Sequence, residues 1–172
     1  CQGVPVIQKS ILIVEDELIA AIDLRELLES LGYRVTGIAS TGEKAVTMAD
    51  AEVPDLILMD IHLGGVISGI EAAEKILSRH SVPIIYVTAY ADPELVERAK
   101  KTQPYGYILK PYDERGIRTE IEIALYKFDL DRAFKEEYSA LEAWLVKRTE
   151  ELRQANNALT KSEERYRPHF ER

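Results

Sequence analysis

Four stretches of this chain end an apolar run on a residue that can do chemistry. Ile11-Leu12-Ile13-Val14 leads into Glu15 and Asp16, and Leu56-Ile57-Leu58-Met59 into Asp60. Ile84-Ile85-Tyr86-Val87 leads into Thr88, and Tyr107-Ile108-Leu109 into Lys110. Each run is too short for a helix and carries no charge, as in strands buried on both faces of a parallel sheet. The C-terminal ends of parallel strands share one edge, so these groups converge if the four strands are neighbours. Three carboxylates brought together repel, and a hard cation with oxygen ligands, Mg²⁺, would relieve them. Asp60 is then placed as a nucleophile that forms an acyl phosphate. Lys110 would offer a positive charge, and Thr88 a hydroxyl, to the phosphoryl oxygens. Taken singly, each residue has a simpler role: Asp16 a helix cap, Asp60 a cap for the loop behind it, Thr88 a strand residue, Lys110 a solvated lysine. Their coincidence at four strand ends favours a site.

The elements that must position these residues are legible around them. Leu18 to Ser30 has helical spacing and ends before Gly32. Tyr33 to Ala39 reads as a strand, and Ser40 or Thr41 caps a helix reaching about Asp50. A loop from His62 to Ser68 precedes a helix over Gly69 to Ser78, and Pro93 opens another helix at the first-turn position proline tolerates. From Glu114 a helix begins that meets no stop signal before Pro168. Alternating strands and helices predict a doubly wound α/β domain with a five-stranded parallel sheet.

From Phe134 the pattern changes to heptads. One seam is Tyr138, Leu145, Leu152, Leu159 and Tyr166; its companion is Phe134, Leu141, Arg148, Ala155 and Ser162. The first is apolar throughout and the second in part, so the fifth helix is expected to extend into a two-stranded coiled coil and form a homodimer. The alternative is a single amphipathic helix packed on its own domain. The expected organisation is a disordered or tag-like start over 1–8, a globular domain over 9–128 and a coiled-coil signalling helix over 129–167. The opening on Cys1 rather than Met suggests a trimmed or engineered fragment.

The net charge of −8 falls wholly within the first 125 of the 172 residues; the remainder is balanced. No basic patch stands out, so direct nucleic-acid contact by this segment is not expected. The single cysteine, Cys1, excludes an internal disulfide. No signal peptide or apolar run of spanning length is present, and the expected compartment is the cytoplasm.

Ile11 to Glu17, Asp55 to Asp60, Val87-Thr88-Ala89 and Tyr107 to Pro111 together resemble the receiver domain of two-component response regulators, over about residues 9–128. The resemblance implies a flavodoxin-like strand order 2-1-3-4-5. It implies Asp60 as phosphoacceptor, Glu15, Asp16 and Asp60 with the His62 backbone carbonyl as Mg²⁺ ligands, and Thr88 with Lys110 as the phosphoryl-binding pair. Tyr107 resembles the aromatic that turns inward when Thr88 moves, and Lys110-Pro111 a bond that is usually cis in the family. The implied partner is a histidine kinase or phosphotransfer protein. The implied activity is a switch with self-catalysed phosphorylation and dephosphorylation, within a larger response regulator or hybrid sensor kinase. Two features depart from the family: Gly64 stands where a proline is common, and the loop to Gly69 is one residue longer. Ser162 to Glu171 resembles the opening of a PAS domain, placed at 168–172. Rival readings are an aspartyl phosphohydrolase, disfavoured by His62 where a second Asp is needed, and a dimerisation module without phosphorylation.

Overall fold

The computed structural model describes residues 7–89 and 93–167. Most of the expected tag-like start and the PAS-like end at 168–172 lie outside the described residues. Five strands alternate with five helices: β1 (Ser10–Val14), α1 (Leu18–Ser30), β2 (Arg34–Ala39), α2 (Gly42–Ala51), β3 (Leu56–Asp60), α3 (Gly69–Leu77), β4 (Ile84–Thr88), α4 (Pro93–Lys100), β5 (Gly106–Leu109) and α5 (Glu114–Tyr166). Every pairing is parallel and the order is β2-β1-β3-β4-β5. This is the expected flavodoxin-like doubly wound sheet.

Strand alternation divides the core into two layers. Leu12, Val14, Ile57, Met59, Ile84 and Tyr86 pack with Ala45 and Ala49 of α2, Ile70, Ala73 and Ile76 of α3, and Ala99 of α4. Ile11, Ile13, Leu56, Leu58, Ile85, Val87 and Ile108 face Ala21, Leu24 and Leu28 of α1, and Ile117, Ile121 and Ala124 of α5. β1, β3 and β4 are buried along their whole length, which explains why they read as continuous apolar runs.

The helices that set the site edge have defined starts. Thr41, rather than Ser40, is the N-cap of α2 and accepts the Lys44 N–H. Ser68 caps α3 in a reciprocal capping box with Glu71. At Gly69 a side chain is excluded: a Cβ would overlap the carbonyl oxygen of Asp60. That close approach seats the first turn of α3 against the end of β3.

The chain divides into two units between Asp129 and Leu130, inside α5. In the second unit the side chains of Phe134, Tyr138, Leu141, Leu145, Leu152, Leu159 and Tyr166 are all exposed. Arg153 bonds Glu150 through two nitrogens at 2.9 and 2.8 Å, and Arg148 bonds Glu151 at 3.3 Å. These neighbouring-turn pairs support a solvated helix.

Candidate functional site

Residues 15, 60 and 110 continue strand rows of one parity, those of Ile11 and Ile13, Leu56 and Leu58, and Ile108. The order β1-β3-β4-β5 sets these strand ends along one edge. The sheet therefore delivers Glu15, Asp60 and Lys110 to a common point. Lys110 Nζ lies 2.7 Å from Glu15 Oε2 and 3.0 Å from Asp60 Oδ2, bridging the two carboxylates. Glu15 and Asp60 are buried, and Asp16 is exposed. Ligand oxygens from Glu15, Asp16 and Asp60 lie within 4.8 Å of one another.

Each carboxylate is held by a backbone donor. Glu15 Oε1 accepts from Glu17 N–H at 3.1 Å, and Asp60 Oδ1 from His62 N–H at 2.8 Å. Asp16 Oδ2 accepts from Gly64 N–H at 3.0 Å. Asp16 is therefore not the cap of α1: that position belongs to Glu17, which makes no side-chain cap bond. Lys110 is not a solvated lysine. Thr88 is 2 % exposed at the end of β4, opposite Leu109 in the register.

Burial raises the Glu15 carboxyl above the usual carboxylate range; the hydrogen bond from Lys110 opposes that shift and the charge of Asp60 adds to it. Burial works to lower the Lys110 ammonium, but its hydrogen bonds to Glu15 and Asp60 win, and it moves well above the ordinary lysine range. The partners move in opposite energetic senses for one reason. Glu15 is deeper and returns less from one ammonium than burial costs, whereas Lys110 draws on two carboxylates.

This donor set suits a divalent cation. Ionised together, three carboxylates against one ammonium leave two negative charges uncompensated. All available ligand atoms are oxygens with lone pairs to spare, the set Mg²⁺ takes.

Tyr107 lies in β5, its ring 5.9 Å from that of Tyr86 at an interplanar angle of 32°. Its buried hydroxyl finds no hydrogen-bond partner among the described residues. The Lys110–Pro111 peptide bond is cis. Three contributors were not anticipated from sequence. Glu43 Oε1 accepts from Val66 N–H and Ile67 N–H, both at 3.2 Å. Tyr86 and Thr102 share a buried hydroxyl–hydroxyl bond of 2.8 Å. The Gly64 amide reaches Asp16. No spacing rule signals these pairs, because each joins segments that only the fold brings together.

A five-stranded parallel sheet of this order carries an acidic crevice and a lysine at one edge, and known proteins share this arrangement. Residues 11–122 match the response regulator receiver domain. The transcriptional regulatory protein PdtaR of Mycobacterium tuberculosis is 33 % identical over 159 residues, covering 90 % of this chain and 77 % of that protein. The signal receiver domain of a modulated diguanylate cyclase from Desulfovibrio desulfuricans G20 is 41 % identical, with a TM-score of 0.69 over 72 % of this chain and 98 % of that one. The receiver domain of the sensor histidine kinase PA1611 from Pseudomonas aeruginosa PAO1 has a magnesium ion coordinated in its active site cleft. It is 31 % identical, with a TM-score of 0.63, and covers 69 % of this chain and 98 % of its own. The chain belongs to the response regulator receiver family.

Proposed function

We propose that the globular unit is a phosphorylation switch in which Asp60 is the acceptor. The observation that carries this is the Lys110 ammonium held between Glu15 and Asp60, with Asp16 beside them, at the C-terminal edge of a parallel sheet. An Asp60 carboxylate oxygen attacks the phosphorus of a phosphohistidine on a histidine kinase or phosphotransfer protein. The new O–P bond forms as the P–N bond breaks, and the departing imidazole keeps the electron pair and takes a proton. Lys110 stabilises charge on the transferring group, and Thr88 donates its hydroxyl to it. Glu15, Asp16, Asp60 and the His62 carbonyl would hold Mg²⁺, which supplies charge neutralisation to the same oxygens. The His62 amide keeps the acceptor oriented.

The state of Asp60 is relayed through Thr88 and Tyr107. Two features support this. The Tyr107 ring packs beside Tyr86 with its hydroxyl buried and unpartnered, so a change of rotamer costs it no hydrogen bond. A groove of about 840 Å³ beside it is lined by Tyr107, Leu109, Pro111, Tyr112 and Gly116. In the second unit, the exposed seam from Phe134 to Tyr166 pairs with a second copy and passes a change in dimer geometry onward, within a longer response regulator or hybrid sensor kinase.

The test is intact mass after incubation with acetyl phosphate, with and without Mg²⁺, beside Asp60→Asn. One phosphoryl adduct that requires both Mg²⁺ and Asp60 is expected. No adduct under any condition overturns the reading and leaves a dimerisation module. Steady turnover of phosphate esters would instead make the chain a phosphohydrolase.

A further inference from the structure

The loop between β3 and α3 (residues 61–68) carries His62 and is tied down on two sides by carboxylates. On one side Asp16 Oδ2 accepts the Gly64 N–H. On the other, Glu43 in the first turn of α2 sets one oxygen on the successive amides of Val66 and Ile67. The start of α2 presses on the same segment. A Cβ at Gly42 would lie 2.6 Å from Ile67 Cγ1. Gly65 holds φ +131°, a conformation that favours glycine, with its Cα side facing Glu43 and Thr41. Glu43 is outside the carboxylate cluster, so this bonding serves the loop and not the cation.

We infer that Glu43 is a positioning residue: it fixes the 61–68 loop so that the Gly64 N–H meets Asp16 and His62 stands beside Asp60. Its chemical consequence rests on the phosphoacceptor reading above; its structural half does not. The departures from the family pattern supply an independent reason. A proline at position 64 would have no N–H to give Asp16, and it would stiffen the loop. Gly64-Gly65 does the reverse: it provides the donor and leaves a longer segment with a large ordering entropy. Such a loop needs an external anchor, and a charged acceptor shared by two successive amides is a strong one. Loosening it would release Asp16 from its orienting bond and admit water to the acyl phosphate.

Glu43 also has an ordinary role, since an acid in the first turn of a helix complements its dipole. The carboxyl lies below the usual range first because it accepts a backbone N–H of its own residue, and further because of Thr41 and the Ile67 and Val66 amides. Two substitutions separate the roles. Glu43→Asp keeps the first-turn charge but withdraws the carboxylate by one methylene, out of reach of the loop. Glu43→Gln keeps the reach and an acceptor oxygen without the charge. Loop anchoring ranks Gln above Asp; dipole complementation ranks Asp above Gln.

The experiment follows amide hydrogen exchange at Gly64, Val66 and Ile67 by NMR in the full 172-residue chain, with the lifetime of the Asp60 adduct measured in parallel. For Glu43→Asp, exchange is expected to rise about tenfold at Val66 and Ile67, as two hydrogen bonds are lost. It should also rise at Gly64, and the adduct lifetime should shorten roughly two- to fivefold. Glu43→Gln, which keeps the reach and loses only the charge assistance, should show a smaller change than Glu43→Asp in every readout. Exchange unchanged in both variants, or an Asp variant closer to wild type than the Gln variant, overturns the inference. Exchange that responds in a wild-type background forming no adduct keeps the anchor and rejects the phosphoacceptor reading.

Discussion

Lys110 is the residue on which the charge balance of the site turns. It is one quarter exposed, while its partners Glu15 and Asp60 are nearly inaccessible. Lys110→Ala would strand two buried carboxylates. We expect a loss of roughly 2 kcal/mol at neutral pH without Mg²⁺, less than for a fully buried pair because Lys110 is partly solvated. Urea unfolding measures it. Mg²⁺ should raise the stability of the wild-type chain by about 1.4 kcal/mol at ten times its Kd. Asp16→Asn should lose most of that gain, and thermal melts across a Mg²⁺ titration would show it. Glu15 carries a pH signature. Its folded-state carboxyl is raised, so the folded chain binds this proton more tightly than the unfolded chain. The contribution to stability is therefore full below about pH 4, the unfolded carboxylate range, and is lost as pH rises through the folded value. In Mg²⁺-free buffer, Glu15→Gln should gain stability relative to wild type as pH is raised from about 4 to 7. A flat difference across that range would contradict the burial argument.

Among the elements, β3 and α3 show how tightly Asp60 is seated. Gly69→Ala would drive a methyl into the Asp60 carbonyl, and the backbone has little room to yield because Gly69 N–H also bonds the Ile61 carbonyl at 3.3 Å. A loss of about 1–3 kcal/mol is expected, with a slower approach to full phosphorylation. Unfolding and adduct formation measured on one variant would test both. At β4 the buried bond between Tyr86 and Thr102 ties the strand of Thr88 to the segment just after α4, and Thr102 also donates to the Ala99 carbonyl. Burial raises the Tyr86 hydroxyl to about 12, and the bond to Thr102 opposes the shift. The phenol therefore stays neutral across the physiological range.

At the scale of the molecule, the second unit exposes its apolar seam to solvent. Leucines at 145, 152 and 159 each offer about 1.5–3 kcal/mol on burial against a partner helix. Arg148, Ala155 and Ser162 interrupt the companion seam, so pairing is expected to be of moderate strength. Light scattering should find the wild-type chain dimeric at tens of micromolar and Leu145→Asp/Leu152→Asp monomeric, with adduct formation at Asp60 unchanged. A monomeric wild type would reject the coiled-coil reading for this chain. No helix among the described residues is long and apolar enough to cross a membrane.

Much of the receiver fold is legible in the sequence alone. The buried strands β1, β3 and β4 are unbroken apolar runs, and the sharing of one edge by their C-terminal ends follows from their common direction. Glu15, Asp16, Asp60 and Lys110 could be singled out as candidates because each ends such a run, and the structure brings them together. Strand order was different: the residues left it open, and family resemblance supplied it, because adjacency depends on which faces the helices cover. Short-range physics also missed the supports. Thr41 and not Ser40 caps α2, and Asp16 turns away from α1 toward Gly64, because a loop 48 residues distant offers a donor. Glu43 bonds the Val66 and Ile67 amides and Tyr86 bonds Thr102 across 16 or more residues, so no local pattern marks either pair. Local sequence determined which residues could do the chemistry. Tertiary structure decided how they are held, because hydrogen bonds between distant segments exist only once loop closure has brought donor and acceptor together.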